Sequence, residues 1–273
     1  MKVGVISIDD PLFGLNLYVD ELALMLSKLA KVEKLADIRE ELEAKRRERV
    51  GYGEIISKKT LLLACYRMVP ITLRYTIDLC RPRRVDRILI MDTFHFTRMR
   101  YNLIYLDPVD YVIKRSYTQH SLSVIIGAYS KAIFGFGVGN EYESARRCAK
   151  MALQYTSNHL PYCNIKFDGS QAIWNALIEA GVPKDHLLSV PKDVCRSHVN
   201  ECEGLIRILR SKGLSKRDYS FQRDIFLKAA IILISWNLFE NHTLFDGRWS
   251  GRLTDLLKID APSDWNQLIT ESW

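Results

Sequence analysis

The sequence predicts an α/β protein: a mixed five-stranded sheet with helices on both faces, preceded by a mostly helical N-terminal region. Three observations carry that expectation. Five short apolar runs fall between residues 101 and 190, bounded by turn residues. The last two of these runs each follow a segment of helical spacing. Before residue 100 the pattern is helical and charged instead. The 273 residues, 48% hydrophobic and 26% charged, are those of an ordinary globular chain with ample material for a core.

A net charge of +7 favours a polyanionic partner such as nucleic acid. No apolar run is long enough to span a bilayer, and Lys28, Lys31 and Lys34 interrupt the one that comes nearest. With no signal-peptide pattern at Met1, the expected location is the cytoplasm, associated with the nucleoid, and no membrane partner is expected. Six cysteines (Cys65, Cys80, Cys148, Cys163, Cys195 and Cys202) are scattered without paired spacing and read as reduced thiols. Cys195, His198 and Cys202 lack the second pair of ligands that a zinc site needs.

The elements follow in order. Residues 3–8 look like a short strand, and residues 20–30 place Leu22, Leu26 and Leu29 at helical spacing. Residues 31–49 form a charged helix with opposite charges three to four apart, which reads as a solvated face. Gly51 and Gly53 suggest a hinge. Residues 58–68 make an apolar helix that stops before Pro70. Thr72 is an N-cap for residues 73–79, and a third helix covers residues 85–96. Three helices with a tight basic turn before the last resemble a helix-turn-helix at 58–98. On that plan Arg81, Arg83, Arg84 and Arg87 meet phosphates and base edges of double-stranded DNA.

From residue 100 the sheet begins. Residues 101–114 are one strand with Asp107 inside it. Residues 121–127 and 132–138 are a hairpin turning at 128–131. A helix over 141–156, a strand over 163–167, a helix over 171–180 stopped by Gly181 and Pro183, and a strand over 187–190 follow. A helix around Glu203 and a strongly apolar helix over 221–239 complete the chain. The expected domains are thus 1–99 and 100–273, the second with a helical C-terminal tail.

Two carboxylates stand out. Asp168 ends an apolar strand just before Gly169 and Ser170 turn the chain into a helix, and Glu203 opens another helix. The 34 residues between them suffice for a helix, a strand and a loop, so the second acid can return to the first. Acids converging at a sheet edge suit hard divalent cations and metal-assisted attack on a phosphodiester. Arg207 and Arg210 lie one and two turns beyond Glu203, on its face, where they could hold phosphates. The order β-β-β-α-β-α-β-α is that of the RNase H-like fold, in which the first and fourth strands are parallel neighbours.

Asp107 with its strand, the hairpin over 121–138, Lys166-Phe-Asp168-Gly-Ser and Asn200-Glu-Cys-Glu203-Gly together resemble the catalytic domain of DDE-type transposases of prokaryotic insertion sequences. The resemblance covers about residues 100 to 255. It implies Asp107, Asp168 and Glu203 as a triad binding two Mg²⁺ or Mn²⁺ ions, with Asn200 and His198 as neighbours that touch DNA or support the metals. It also implies cleavage at element ends, strand transfer into target DNA, and a homo-oligomer, a dimer, on the DNA. Asp92 rivals Asp107, because it too follows an apolar run. It lies 29 residues before the second strand and Asp107 only 14, which favours Asp107 for a short hairpin. Asp110, three residues on, falls on the opposite side of the strand. Glu201 points away from Glu203 on a helix. His95, His120, His159, His186 and His242 show no ligand spacing. Two other function classes share these features: a DNA-binding relative without chemistry, and a plain RNase H-like nuclease.

Overall fold

The computed structural model describes residues 17–31, 33–50, 56–81, 86–105, 111–139, 145–156, 160–190, 207, 211 and 222–273, with backbone alone for 50, 94–105, 111–120, 222 and 223. The chain divides into two compact units, one of residues 1–80 with 227–273 and one of residues 81–226. The division falls at Cys80, whereas the expected boundary at 99/100 lies inside a strand.

The first unit is built on α1 (Val19–Ala30), α2 (Leu35–Val50) and α3 (Lys58–Leu79). Leu22, Met25 and Leu26 of α1 are fully buried, as the helical spacing of the sequence requires. The charged helix α2 exposes most of its residues but buries Ile38, Leu42 and Arg46, one stripe at four-residue spacing. Arg46 takes the third place of that stripe because Glu21 of α1 meets it with two bonds, Nε to Oε1 at 2.6 Å and Nη2 to Oε2 at 2.8 Å. The solvated-face expectation therefore fails on this one side of α2.

The expected helix break at Pro70 does not occur. Lys58–Leu79 is one helix with Pro70 inside it, so residues 58–79 contain no turn. Leu61, Cys65, Met68, Val69, Leu73 and Ile77 are all buried, a stripe that continues across the proline. Burial of that stripe outweighs the lost hydrogen bond that proline imposes. Thr72 is no N-cap. Its hydroxyl turns back to the carbonyls of Met68 and Val69, at 3.3 and 3.1 Å.

The C-terminal part of this unit was not foreseen in full. The apolar run predicted α6 (Gln222–Leu238) as a helix of the domain 100–273, but most of it belongs to this unit, and β6 (Asn241–Leu244) and β7 (Trp249–Arg252) form an antiparallel hairpin. The short helix α7 (Leu253–Leu257) and α8 (Trp265–Ser272) follow, with Asp264 capping α8 through the Gln267 N–H at 2.9 Å. No described helix is long and apolar enough to cross a membrane.

The second unit holds a five-stranded sheet in the order β3-β2-β1-β4-β5. Its strands are β1 (Ile88–Tyr105), β2 (Tyr111–Gly127), β3 (Ile133–Gly139), β4 (Asn164–Phe167) and β5 (Leu187–Ser189). β1, β2 and β3 form an antiparallel meander, and β4 and β5 add parallel strands on the far side of β1. That is the mixed sheet and strand order of the RNase H-like fold. The helices α4 (Ala145–Leu153) and α5 (Gln171–Glu179) make the crossovers, and α4 packs on β2 and β3. Two glycines permit that approach: a Cβ at Gly135 or Gly137 would stand 2.3 and 2.4 Å from carbonyl oxygens of α4.

The first strand is where the sequence misled. Residues 88–96, expected as the third helix of a helix-turn-helix, are the start of β1, so residues 58–98 do not form that motif. Residues 101–114, expected as one strand, are the far ends of β1 and β2, whose ladder closes at Tyr105 and Tyr111. Asp107 and Asp110 fall between them, outside the described residues, as do residues 3–8 and the glycines at 51 and 53.

Candidate acidic site beside the end of β4

The register of adjacent parallel strands decides which residues stand level, and β1 and β4 pair from Ile88 with Asn164 to Ile90 with Lys166. Two residues beyond that pairing stand Asp92, still within β1, and Asp168, the first residue after β4. Because side chains alternate, Asp92 shares a face with Ile90, and Asp168 shares it with Lys166. The acid that stands level with Asp168 in this register is Asp92. The preference for Asp107 rested on a short hairpin, and β1 and β2 instead pair over 17 rungs. Tyr105, the last described residue before Asp107, lies thirteen steps beyond Asp92, about 40 Å along the strand at ~3.3 Å per residue.

Local structure fixes both carboxylates. Asp92 is half-buried and its Oδ1 accepts the Thr93 N–H at 2.7 Å, while the Thr93 hydroxyl meets Ser123 Oγ on β2 at 2.6 Å. Asp168 is also half-buried. Its Oδ1 accepts the Ser170 N–H at 2.9 Å, closing the turn that leads from β4 into α5. Gly169 takes φ of +78° in that turn, a conformation that strains any residue with a Cβ. Asp168 thus sits at the start of α5, where the helix dipole favours a negative charge.

A third acid, Asp86, is spent on structure. Fully buried, its Oδ1 accepts the N–H groups of Tyr129 and Ser130 at 3.2 and 3.0 Å and ties the β2–β3 turn to the start of β1. Sequence reading passed over it. The signal was an isolated acid two residues before the apolar run Ile88–Met91, as Asp92 is an isolated acid just after it.

Of the other expected site residues, Arg81 and Arg87 are exposed, Arg87 immediately before β1, where its carbonyl accepts the Asn164 N–H at 2.8 Å. They therefore precede a strand rather than line a recognition helix. Arg207 is exposed and helical. Arg83, Arg84, His198, Asn200, Glu201, Glu203 and Arg210 lie outside the described residues. Among the described residues no group of three or more His, Cys, Asp or Glu could hold a metal. What the register brings level is a pair of acids, each with one carboxylate oxygen held by a main-chain N–H. Such a donor set offers oxygen ligands alone, which suits a hard divalent cation.

No protein-family model matches the chain, and no curated protein matches it. Among solved structures, the pre-cleavage Mos1 transpososome is similar at 12% identity and a TM-score of 0.24, over 82% of this chain and 80% of that one. The Mos1 transposase paired-end complex with left transposon end is similar at 12% identity and a TM-score of 0.22, over 81% and 76%. At those scores neither likeness bears on what this chain does.

Proposed function

We propose that the chain is a DDE-type transposase, cutting DNA at element ends and transferring the freed strand into target DNA with divalent metal. The observation that carries this reading is the level placement of Asp92 and Asp168 on one face of adjacent parallel strands in an RNase H-like sheet. The resemblance of Lys166-Phe-Asp168-Gly-Ser and Asn200-Glu-Cys-Glu203-Gly to the insertion-sequence enzymes supports it, with Glu203 as third carboxylate.

Two Mg²⁺ or Mn²⁺ ions held by these acids would supply a metal-bound nucleophile and charge stabilisation at the leaving oxygen. The chain's own part is positional. The parallel ladder holds Asp92 beside β4, and the Thr93 and Ser170 N–H groups orient the two carboxylates. In this reading Asp92 replaces Asp107 as the first acid of the triad.

The test is nicking of a labelled element-end fragment with Mg²⁺ or Mn²⁺. Asp92→Asn and Asp168→Asn keep size but remove the charge a hard cation needs, so cutting should fall by several orders of magnitude. Asp107→Asn should cut like wild type. Loss of cutting in Asp107→Asn with retention in Asp92→Asn would reverse the assignment. Undiminished cutting by Asp168→Asn would sink the metal mechanism altogether.

A further inference from the structure

β1 and β2 extend well past the sheet they found. β4 accompanies β1 only over Ile88–Ile90, and β3 accompanies β2 only over Ser121–Ile126. From Phe96 paired with His120 to Tyr105 paired with Tyr111, ten further rungs continue as two strands alone among the described residues. At ~3.3 Å per residue this ribbon is about 30 Å long. It leaves the sheet at the end where Asp92 and Asp168 stand. Two strands by themselves are marginally stable in water, so a ribbon of this length gains from a partner laid along it.

Its residues say which partner. Residues 96–105 and 111–120 carry Arg98, Arg100, Lys114 and Arg115 and no acid at all. The register sorts them. Arg98 pairs with Thr118, Arg100 with Ser116 and Asn102 with Lys114, so three cations and three hydrogen-bonding residues share one side of the ladder. The other side pairs Thr97 with Gln119, Met99 with Tyr117 and Leu103 with Ile113 and holds Arg115 alone among the cations, while Phe96, Ile104 and Val112 flank the three cations on their own, more polar side. The polar side is the side of Asp92, since 92, 98, 100 and 102 are all even steps along one strand. Strand twist turns that side gradually but does not interrupt it.

We propose that the Arg98–Arg100–Lys114 side of this ribbon is a track for the phosphates of duplex DNA, leading the backbone to the acidic pair. A two-stranded ribbon is of a size the major groove admits, and cations beside Ser, Thr and Asn are the chemistry that grips phosphate. The inference rests on the proposed function and adds the surface that presents the substrate.

The experiment measures binding of a short duplex against salt by fluorescence anisotropy. It uses the full chain and the single variants Arg98→Gln, Arg100→Gln, Lys114→Gln and Arg115→Gln, with circular dichroism confirming the fold of each. Each variant on the polar side should lower the slope of log K against log salt by about 0.9, and their triple combination by about 2.7. Arg115→Gln, one residue from Lys114 but on the opposite side, should leave the slope as in wild type. Arg98→Lys should restore what Arg98→Gln loses. An unchanged slope in the triple variant overturns the track while the transposase reading stands, as does an Arg115→Gln loss equal to that of Lys114→Gln. A wild-type chain with no duplex affinity overturns both. Unchanged DNA binding with altered self-association would make the ribbon an interface between copies of the chain, which also overturns the track.

Discussion

At the scale of single residues, burial decides what a reactive group can do. Cys65 is fully buried, and burial pushes its thiol up to about 12. Cys163 is held above its ordinary value by burial and by the nearby charge of Asp86. The thiolate is the nucleophile, so Cys65 should resist iodoacetamide at pH 8 in the native protein and react only once the chain opens. Mass spectrometry of alkylated peptides with and without denaturant reads this directly; rapid native labelling of Cys65 would contradict its placement. The sign of the linkage follows. The unfolded thiol loses its proton near 9.0 and the folded one near 12, so between those values the unfolded chain binds fewer protons and stability falls as pH rises. Cys65, Cys80, Cys148 and Cys163 are buried and form no disulfide with one another.

At the scale of elements, α1 and α2 are joined by a charge pair with almost no access to water. Glu21 and Arg46 are 1% and 6% exposed, and Glu21 Oε2 also accepts the Tyr18 N–H at 3.0 Å. Arg46→Ala leaves the Glu21 carboxylate buried without its partner and should cost about 3–5 kcal/mol in urea unfolding. Glu21→Met with Arg46→Met removes both charges together. That double variant should recover most of the loss, because well-packed apolar groups often replace a buried pair at little cost. A double variant as unstable as Arg46→Ala would mean that the cost lies in packing and not in the orphaned charge.

The same scale shows what the sequence made legible. The strand order could be read because each of β3, β4 and β5 is a short apolar run followed by turn chemistry, as Gly169 after β4 illustrates. β1 could not. Ile88-Leu-Ile-Met is a continuous apolar run, and periodicity does not distinguish such a run in a buried strand from one in a helix. β1 also runs for 18 residues where about 5–6 is usual, so the hairpin spacing that selected Asp107 assumed strands of ordinary length. Asp168 stood out in the sequence because its turn chemistry is local. Asp92 stood out only as a rival to Asp107, because it takes the long-range pairing of β1 with β4 to bring it level with Asp168. Pro70 misled for the opposite reason, since a local breaker was overruled by burial on both sides of it.

At the scale of the whole molecule, a chain of net charge +7 places two carboxylates level with each other at one end of a sheet. In the proposed function the excess positive charge would draw duplex DNA to the protein, while the acids would repel the phosphate that must approach them most closely. Two charges ~5 Å apart in a well-solvated setting interact by about 0.8 kcal/mol, a roughly fourfold effect on affinity. Asp168→Asn should therefore bind an element-end duplex about fourfold more tightly than wild type when chelator removes divalent metal. Adding Mg²⁺ should strengthen the wild type more than the variant, because the ion neutralises the charge that the substitution has already removed. The advantage of the variant should shrink or invert as Mg²⁺ rises, read by anisotropy at constant ionic strength. Parallel responses of the two proteins to Mg²⁺ would mean that Asp168 does not hold the ion.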